Sequence, residues 1–71
     1  MKPNISNNIR RLRFDNNEMT QQSLAEAIGV TRLTVLAIEK GKYSPSLEVA
    51  FKIAENFSVT LDQVFQYQGG K

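Results

Sequence analysis

Side chains capable of covalent or acid–base chemistry are scarce in this sequence. Cysteine and histidine are absent, which removes thiol nucleophiles, imidazole bases, disulfides and the nitrogen and sulfur ligands that zinc prefers. Only carboxylates remain, at Asp15, Glu18, Glu26, Glu39, Glu48, Glu55 and Asp62. They are scattered over different segments, with no pairing suited to general acid–base work and no metal-like grouping. The sequence therefore predicts no enzyme, no metal site and no cofactor. It offers instead donors suited to phosphates and base edges, carried by Arg10, Arg11, Arg13, Arg32, Lys40 and Lys42 with the amides of Gln21 and Gln22.

Seventy-one residues at 8.0 kDa fit one small domain. A chain of this size buries only about 60% of the surface its unfolded form exposes, which leaves little room for an enclosed substrate pocket. The expectation is a single domain over 1–71, with an ordered core from about 4 to 67 and a frayed tail at 68–71. Hydrophobic residues make up 41% and charged residues 23%, the balance of an ordinary globular domain. The net charge is only +2, with a pI near 9.2, a mild basic excess that permits nucleic-acid binding without demanding it. No stretch approaches the roughly 20 apolar residues of a membrane span, and Met1-Lys2-Pro3-Asn4 does not begin a signal peptide, so a cytoplasmic protein with no membrane partner is expected.

Positioning those donors falls to a few short elements. Pro occurs only at 3 and 45 and Gly only at 29, 41, 69 and 70, and each piece between reads as a helix. In the first, Asn4 is the candidate cap, and Ile5, Ile9 and Leu12 share a face at i, i+4 and i+7. The polar run Asp15-Asn16-Asn17-Glu18 ends it. Thr20 caps a second helix carrying Leu24 and Ile28; Gly29 stops it, and Thr31 caps a third after a turn too tight for antiparallel packing. A helix-turn-helix corner follows. Ser46 caps a fourth helix from Leu47 to about Asn56, and Thr60 a short fifth beginning at Leu61. The fold class is all-α, a compact five-helix domain.

Small or apolar residues at Leu24, Ala25, Ile28, Gly29, Val30, Val35 and Ile38 form a packing code for that corner. Ala25 lets the helices cross closely, Gly29 takes the left-handed turn conformation, and Val35 and Ile38 anchor the third helix by its inner face. The run Thr20-Gln21-Gln22-Ser23-Leu24-Ala25-Glu26-Ala27-Ile28-Gly29-Val30-Thr31-Arg32, followed by Ala37-Ile38-Glu39-Lys40-Gly41-Lys42, resembles the helix-turn-helix of the Xre/Cro, lambda-repressor-like regulators. Pro45-Ser46-Leu47-Glu48-Val49-Ala50-Phe51-Lys52-Ile53-Ala54 and Leu61-Asp62-Gln63-Val64-Phe65 resemble the fourth and fifth helices of its short, stand-alone members. The likeness runs from about Ile9 to Phe65.

With Val35 and Ile38 inward, a turn of about 100° per residue puts Arg32, Leu33, Leu36 and Lys40 on the outer face, with Ala37 at its margin. The resemblance implies base contact by Thr31, Arg32, Leu33, Leu36 and Ala37. Arg32 can donate twice to guanine O6 and N7, or grip a phosphate instead. Leucine at 33 and 36 departs from the polar or amide residues more usual in the family; either the pair meets thymine methyl groups, or it packs on another protein surface. Helix starts suit phosphates, and the resemblance implies that Gln21 bonds a phosphate and braces the third helix; Gln22, Arg10, Lys40, Gly41, Lys42 and Tyr43 are assigned phosphate contacts as well. Glu39 sits at a helix end whose dipole disfavours an acid; the resemblance implies a structural ion pair with Arg13.

The fourth and fifth helices carry more apolar surface than one small core can bury. A homodimer is expected, with Phe51, Val59, Leu61, Val64, Phe65 and Tyr67 at its interface. Two reading helices about one DNA turn apart would fit an inverted-repeat operator in double-stranded DNA. No small-molecule effector is evident. Met1 to Ser46 holds seven basic and four acidic residues, whereas Leu47 to Lys71 holds two and three, so the reading face is expected in the first two thirds. These features imply a sequence-specific transcriptional regulator acting as a repressor by steric exclusion. The competing reading is an antitoxin-like interaction module whose DNA binding is autoregulatory.

Overall fold

A computed structural model of the chain describes residues 4–68. Five helices follow in order, α1 (Ile9–Asp15), α2 (Gln21–Ile28), α3 (Arg32–Glu39), α4 (Leu47–Asn56) and α5 (Leu61–Val64). Three open on a hydroxyl that satisfies an orphan backbone donor. Thr20 Oγ1 accepts from Ser23 N at 2.9 Å, Thr31 Oγ1 from Thr34 N at 3.2 Å and Ser46 Oγ from Val49 N at 3.2 Å. At α5 the Gln63 side chain reaches back to accept from Thr60 N at 2.8 Å.

The first predicted element is corrected. Asn4 does not cap a helix and Ile5 does not lie on one: Ile5–Asn7 is a strand, β1, paired antiparallel with β2 (Phe65–Tyr67), Ile5 facing Tyr67 and Asn7 facing Phe65. The helix starts at Ile9, whose backbone N–H donates to Asn7 Oδ1 at 3.1 Å. Asparagine and serine are indifferent helix formers, and a distant strand supplies ladder partners that no local periodicity reveals. The pair closes the domain, joining the segment before α1 to the one after α5. Of the expected frayed tail, only Gln68 is described and 69–71 lie outside the described residues.

One core serves all five helices. It consists of Ile9, Leu24, Ala25, Ile28, Val35, Ile38, Ile53, Ala54 and Val64, with Leu12, Met19, Val30, Val49, Phe57, Val59 and Phe65 packed against it. Ala25 is wholly buried, as a close crossing of α2 and α3 requires. At the corner Gly29 takes φ 80°, and the N–H groups of Gly29 and Val30 both close onto the Ala25 carbonyl.

Candidate nucleic-acid interface

The two faces of α3 divide as the packing code requires. Val35 and Ile38 are buried, while Thr31, Arg32 and Leu33 are exposed. The leucines are not equivalent. Leu33 is 66% exposed, whereas Leu36 and Ala37 are half-buried. Leu36 instead lines a concavity shared with Arg10, Arg13, Gln21, Glu39 and Lys40. The structure thus gathers Arg10, Gln21, Leu36 and Lys40 from three helices around one depression.

A polar network floors that depression. Arg13 grips Glu39 with two nitrogens, Nε to Oε2 at 2.6 Å and Nη2 to Oε1 at 3.1 Å, and their side chains are only 14% and 8% exposed. Arg13 Nη1 also donates to the Met19 carbonyl at 2.8 Å, and the Arg13 carbonyl accepts from Met19 N at 2.8 Å. The connector from α1 to α2 is clasped to the pair in this way. Two-point contact of this kind fixes direction as well as distance. Glu39 lies at the carbonyl end of α3, where the dipole opposes an acid, and the guanidinium offsets that opposition.

Gln21 extends the network toward the outer face. Its Nε2 donates to Glu39 Oε1 at 3.2 Å, and its Oε1 accepts from Arg32 Nη1 at 3.5 Å. A donor on one side and an acceptor on the other fix which way the amide points. Gln22 does not join them; its amide donates to Glu26 Oε2 at 2.9 Å along the exposed side of α2.

Beyond α3 the backbone turns sharply. Gly41 takes φ 75°, Gly41 N donates to the Ile38 carbonyl at 3.0 Å and Lys42 N to the Ala37 carbonyl at 2.9 Å. This paired closure after a helix needs a left-handed residue at Gly41. It leaves Lys40, Lys42 and Tyr43 exposed at one end of α3 and Arg32 at the other.

Sequence reasoning missed Asn7. Its Nδ2 donates to the Ile38 carbonyl at 3.0 Å and the Glu39 carbonyl at 3.4 Å, at the last turn of α3. The Asn7-Asn8 pair directly before Ile9 was a capping signal for α1, but its reach to α3 is a contact across more than thirty residues.

The predicted dimer residues fall into two sets. Phe51 and Tyr67 are 53% and 70% exposed, and Ile5 and Leu47 are exposed apolar residues as well. Leu61, Val59 and Phe65 are half-buried, Leu61 and Phe65 lining an apolar groove with Ile5, Pro45 and Leu47. Val64 is corrected: it is fully buried within the chain's own core and has no surface to offer a partner. In a four-residue helix the side facing the bundle belongs to the domain itself.

Comparison with known proteins agrees with this geometry. The helix-turn-helix family model matches residues 9–64. An uncharacterised HTH-type transcriptional regulator of Methanocaldococcus jannaschii is 54% identical over 50 residues, covering 70% of this chain and 76% of that one. The cryptic phage CTXphi transcriptional repressor RstR of Vibrio cholerae is 39% identical over 60 residues, which span 84% of this chain and 53% of the repressor. Among solved structures, a proposed DNA-binding protein from Bacteroides fragilis superposes with a TM-score of 0.75 at 27% identity, over 87% of this chain and 98% of that one.

Proposed function

The chain belongs to the Xre/lambda-repressor-like helix-turn-helix family of transcriptional regulators, and on that premise we propose that it is a repressor, a homodimer that occupies an inverted-repeat operator in the cytoplasm. The observation that carries the reading is the division of α3: an inner face sealed into the core and an outer edge of Arg32 and Leu33 left exposed. A helix held in this way can enter a major groove without unfolding anything. Arg32 reads a guanine or holds a phosphate from the helix start, with Thr31 beside it. Leu33 meets a thymine methyl, Leu36 and Ala37 flank it at the groove wall, and Gln21, Gln22, Arg10, Lys40, Gly41, Lys42 and Tyr43 contact the phosphates on either side.

Repression by exclusion needs only occupancy, and the RstR likeness favours that sign of regulation. Dimerisation supplies the affinity that one short helix lacks, by making the second half-site an intramolecular encounter. Phe51, Leu61, Phe65 and Tyr67, with Ile5 and Leu47, form the self-associating surface.

Selection from a random duplex library followed by sequencing tests this directly. The expected product is an inverted repeat with half-site centres about one helical turn, roughly 34 Å, apart. Failure to enrich any palindrome, together with capture of a protein partner in place of DNA, would establish the antitoxin-like reading instead.

A further inference from the structure

Asn7 joins three elements with one side chain. Its Oδ1 accepts from Ile9 N at 3.1 Å and starts α1, while its Nδ2 donates at 3.0 Å and 3.4 Å to the Ile38 and Glu39 carbonyls of α3. Its backbone lies in β1 opposite Phe65 of β2. The last carbonyls of a helix have no partner within it. Here they receive a donor from a strand, so the end of the reading helix is tied to the strand pair, next to the surface assigned to the second subunit.

The other tie on this turn is the Glu39 side chain, held by Arg13. Two anchors from different directions, α1 through Glu39 and β1 through Asn7, fix both the position and the tilt of the last turn. Directly after it come Lys40, Gly41 and Lys42, whose path is set by closures onto the Ala37 and Ile38 carbonyls. The Ile38 carbonyl accepts from Asn7 as well as from Gly41. A shift of that carbonyl therefore moves the phosphate-contacting loop.

We propose that Asn7 is a positioning residue for DNA recognition: by capping the C-terminal turn of α3 it sets the tilt of the reading helix and the placement of the Lys40–Lys42 loop. The inference rests on the DNA-binding reading above. It assigns Asn7 no contact with DNA.

Asn7→Asp separates this role from simple stability. The substitution keeps the oxygen that starts α1 but replaces the amide donor with an acceptor facing two carbonyls. Native-state hydrogen exchange gives a readout independent of DNA. The amides of Gly41 and Lys42 should exchange about tenfold faster in the variant, while those of Gly29 and Val30 at the other corner stay unchanged. Affinity for the selected operator, measured well below the melting temperature, should fall about five- to tenfold, with a smaller loss on random-sequence duplex. Asn7→Gln, which retains a donor on a longer arm, should recover part of both effects.

Exchange that rises equally at both corners, or not at all, overturns the proposal. So does an operator affinity equal to that of the unaltered protein once the variant is folded. If the unaltered protein itself binds no duplex DNA, the functional reading fails. The exchange pattern still reports whether Asn7 caps α3.

Discussion

Glu39 shows how much a single side chain can be asked to hold. Its carboxylate receives Arg13 twice and Gln21 once, in a setting where little water reaches it. Removing one member of such a pair leaves a charge without a partner, a loss of about 3–5 kcal/mol, whereas replacing both by apolar residues of similar volume is often near neutral. Glu39→Ala and Arg13→Ala should each lower stability to urea by an amount of that order. The double replacement Arg13→Met with Glu39→Met should cost much less than the sum of the two single losses. Additive losses in a double-mutant cycle would show that the contact carries no coupling. The pair was legible because an acid at a helix C-terminus demands compensation and the family resemblance names an arginine to supply it. Gln21 was legible through the resemblance as a phosphate ligand that also braces the third helix, but its partners in that brace were not. Its bridge from Glu39 to Arg32 depends on where three helices place their side chains.

The two leucines of α3 invite a second test at the residue scale. Leu33 is far more exposed than Leu36, so its truncation should remove most of any thymine preference. Methyl burial is worth on the order of 0.8 kcal/mol per group, so Leu33→Ala should weaken operator binding about fourfold. On uracil-substituted operator the same variant should lose little further. Leu36→Ala should act on both DNAs alike, through the depression it shares with Arg10 and Lys40. Equal losses for Leu33→Ala with and without the methyl would remove the thymine contact from the account.

At the level of elements, the helices announce themselves and the strands do not. Thr20, Thr31, Ser46 and Thr60 each stand before an apolar repeat, and a local signal of that kind survives in one dimension. The strand pair joins residues sixty apart, and three residues such as Ile5-Ser6-Asn7 carry no period of their own. Val64 misled for a related reason: an apolar residue on a short amphipathic segment can face its own core or a partner's, and sequence spacing does not distinguish them.

The helix ends supply a matched pair of predictions. α4 closes through Ser58, which holds φ 58°, with Ser58 N donating to the Glu55 carbonyl and Val59 N to the Ala54 carbonyl. This is a glycine position occupied by a residue with a β-carbon. Ser58→Gly relieves a left-handed cost of about 1–2 kcal/mol against an entropic cost of about 0.5–1, a net gain on the order of 0.5–1 kcal/mol. At Gly29, by contrast, an added β-carbon meets no atom within 4 Å. Gly29→Ala should therefore lose only the backbone term, about 1 kcal/mol. Thermal unfolding of the two variants should move in opposite directions. A Ser58→Gly variant less stable than the unaltered chain would contradict the reading of that turn.

Over the whole molecule, a small net charge conceals a division of labour. The excess of basic residues lies before Leu47 and the slight acidic excess after it, so on the proposed reading DNA binding and pairing with a second copy would draw on different ends of the fold. If Lys40, Lys42 and Arg10 contact phosphates as proposed, each protomer contributes three such cations and a dimer six. The logarithm of operator affinity should then fall with the logarithm of salt concentration with a slope of about −5. Leu47 and Phe51 project from α4 outside the core, so Leu47→Asp with Phe51→Asp should leave the fold intact. The sedimenting mass should drop from twice 8.0 kDa to 8.0 kDa. Full-operator affinity should fall by at least about a hundredfold while affinity for an isolated half-site is kept, and the salt slope should halve. Val64→Ala provides the contrast, because truncating a wholly buried valine costs stability in the monomer and leaves the association surface in place. A dimer that persists in the α4 variant would move the interface away from this face, and with it the spacing expected between half-sites.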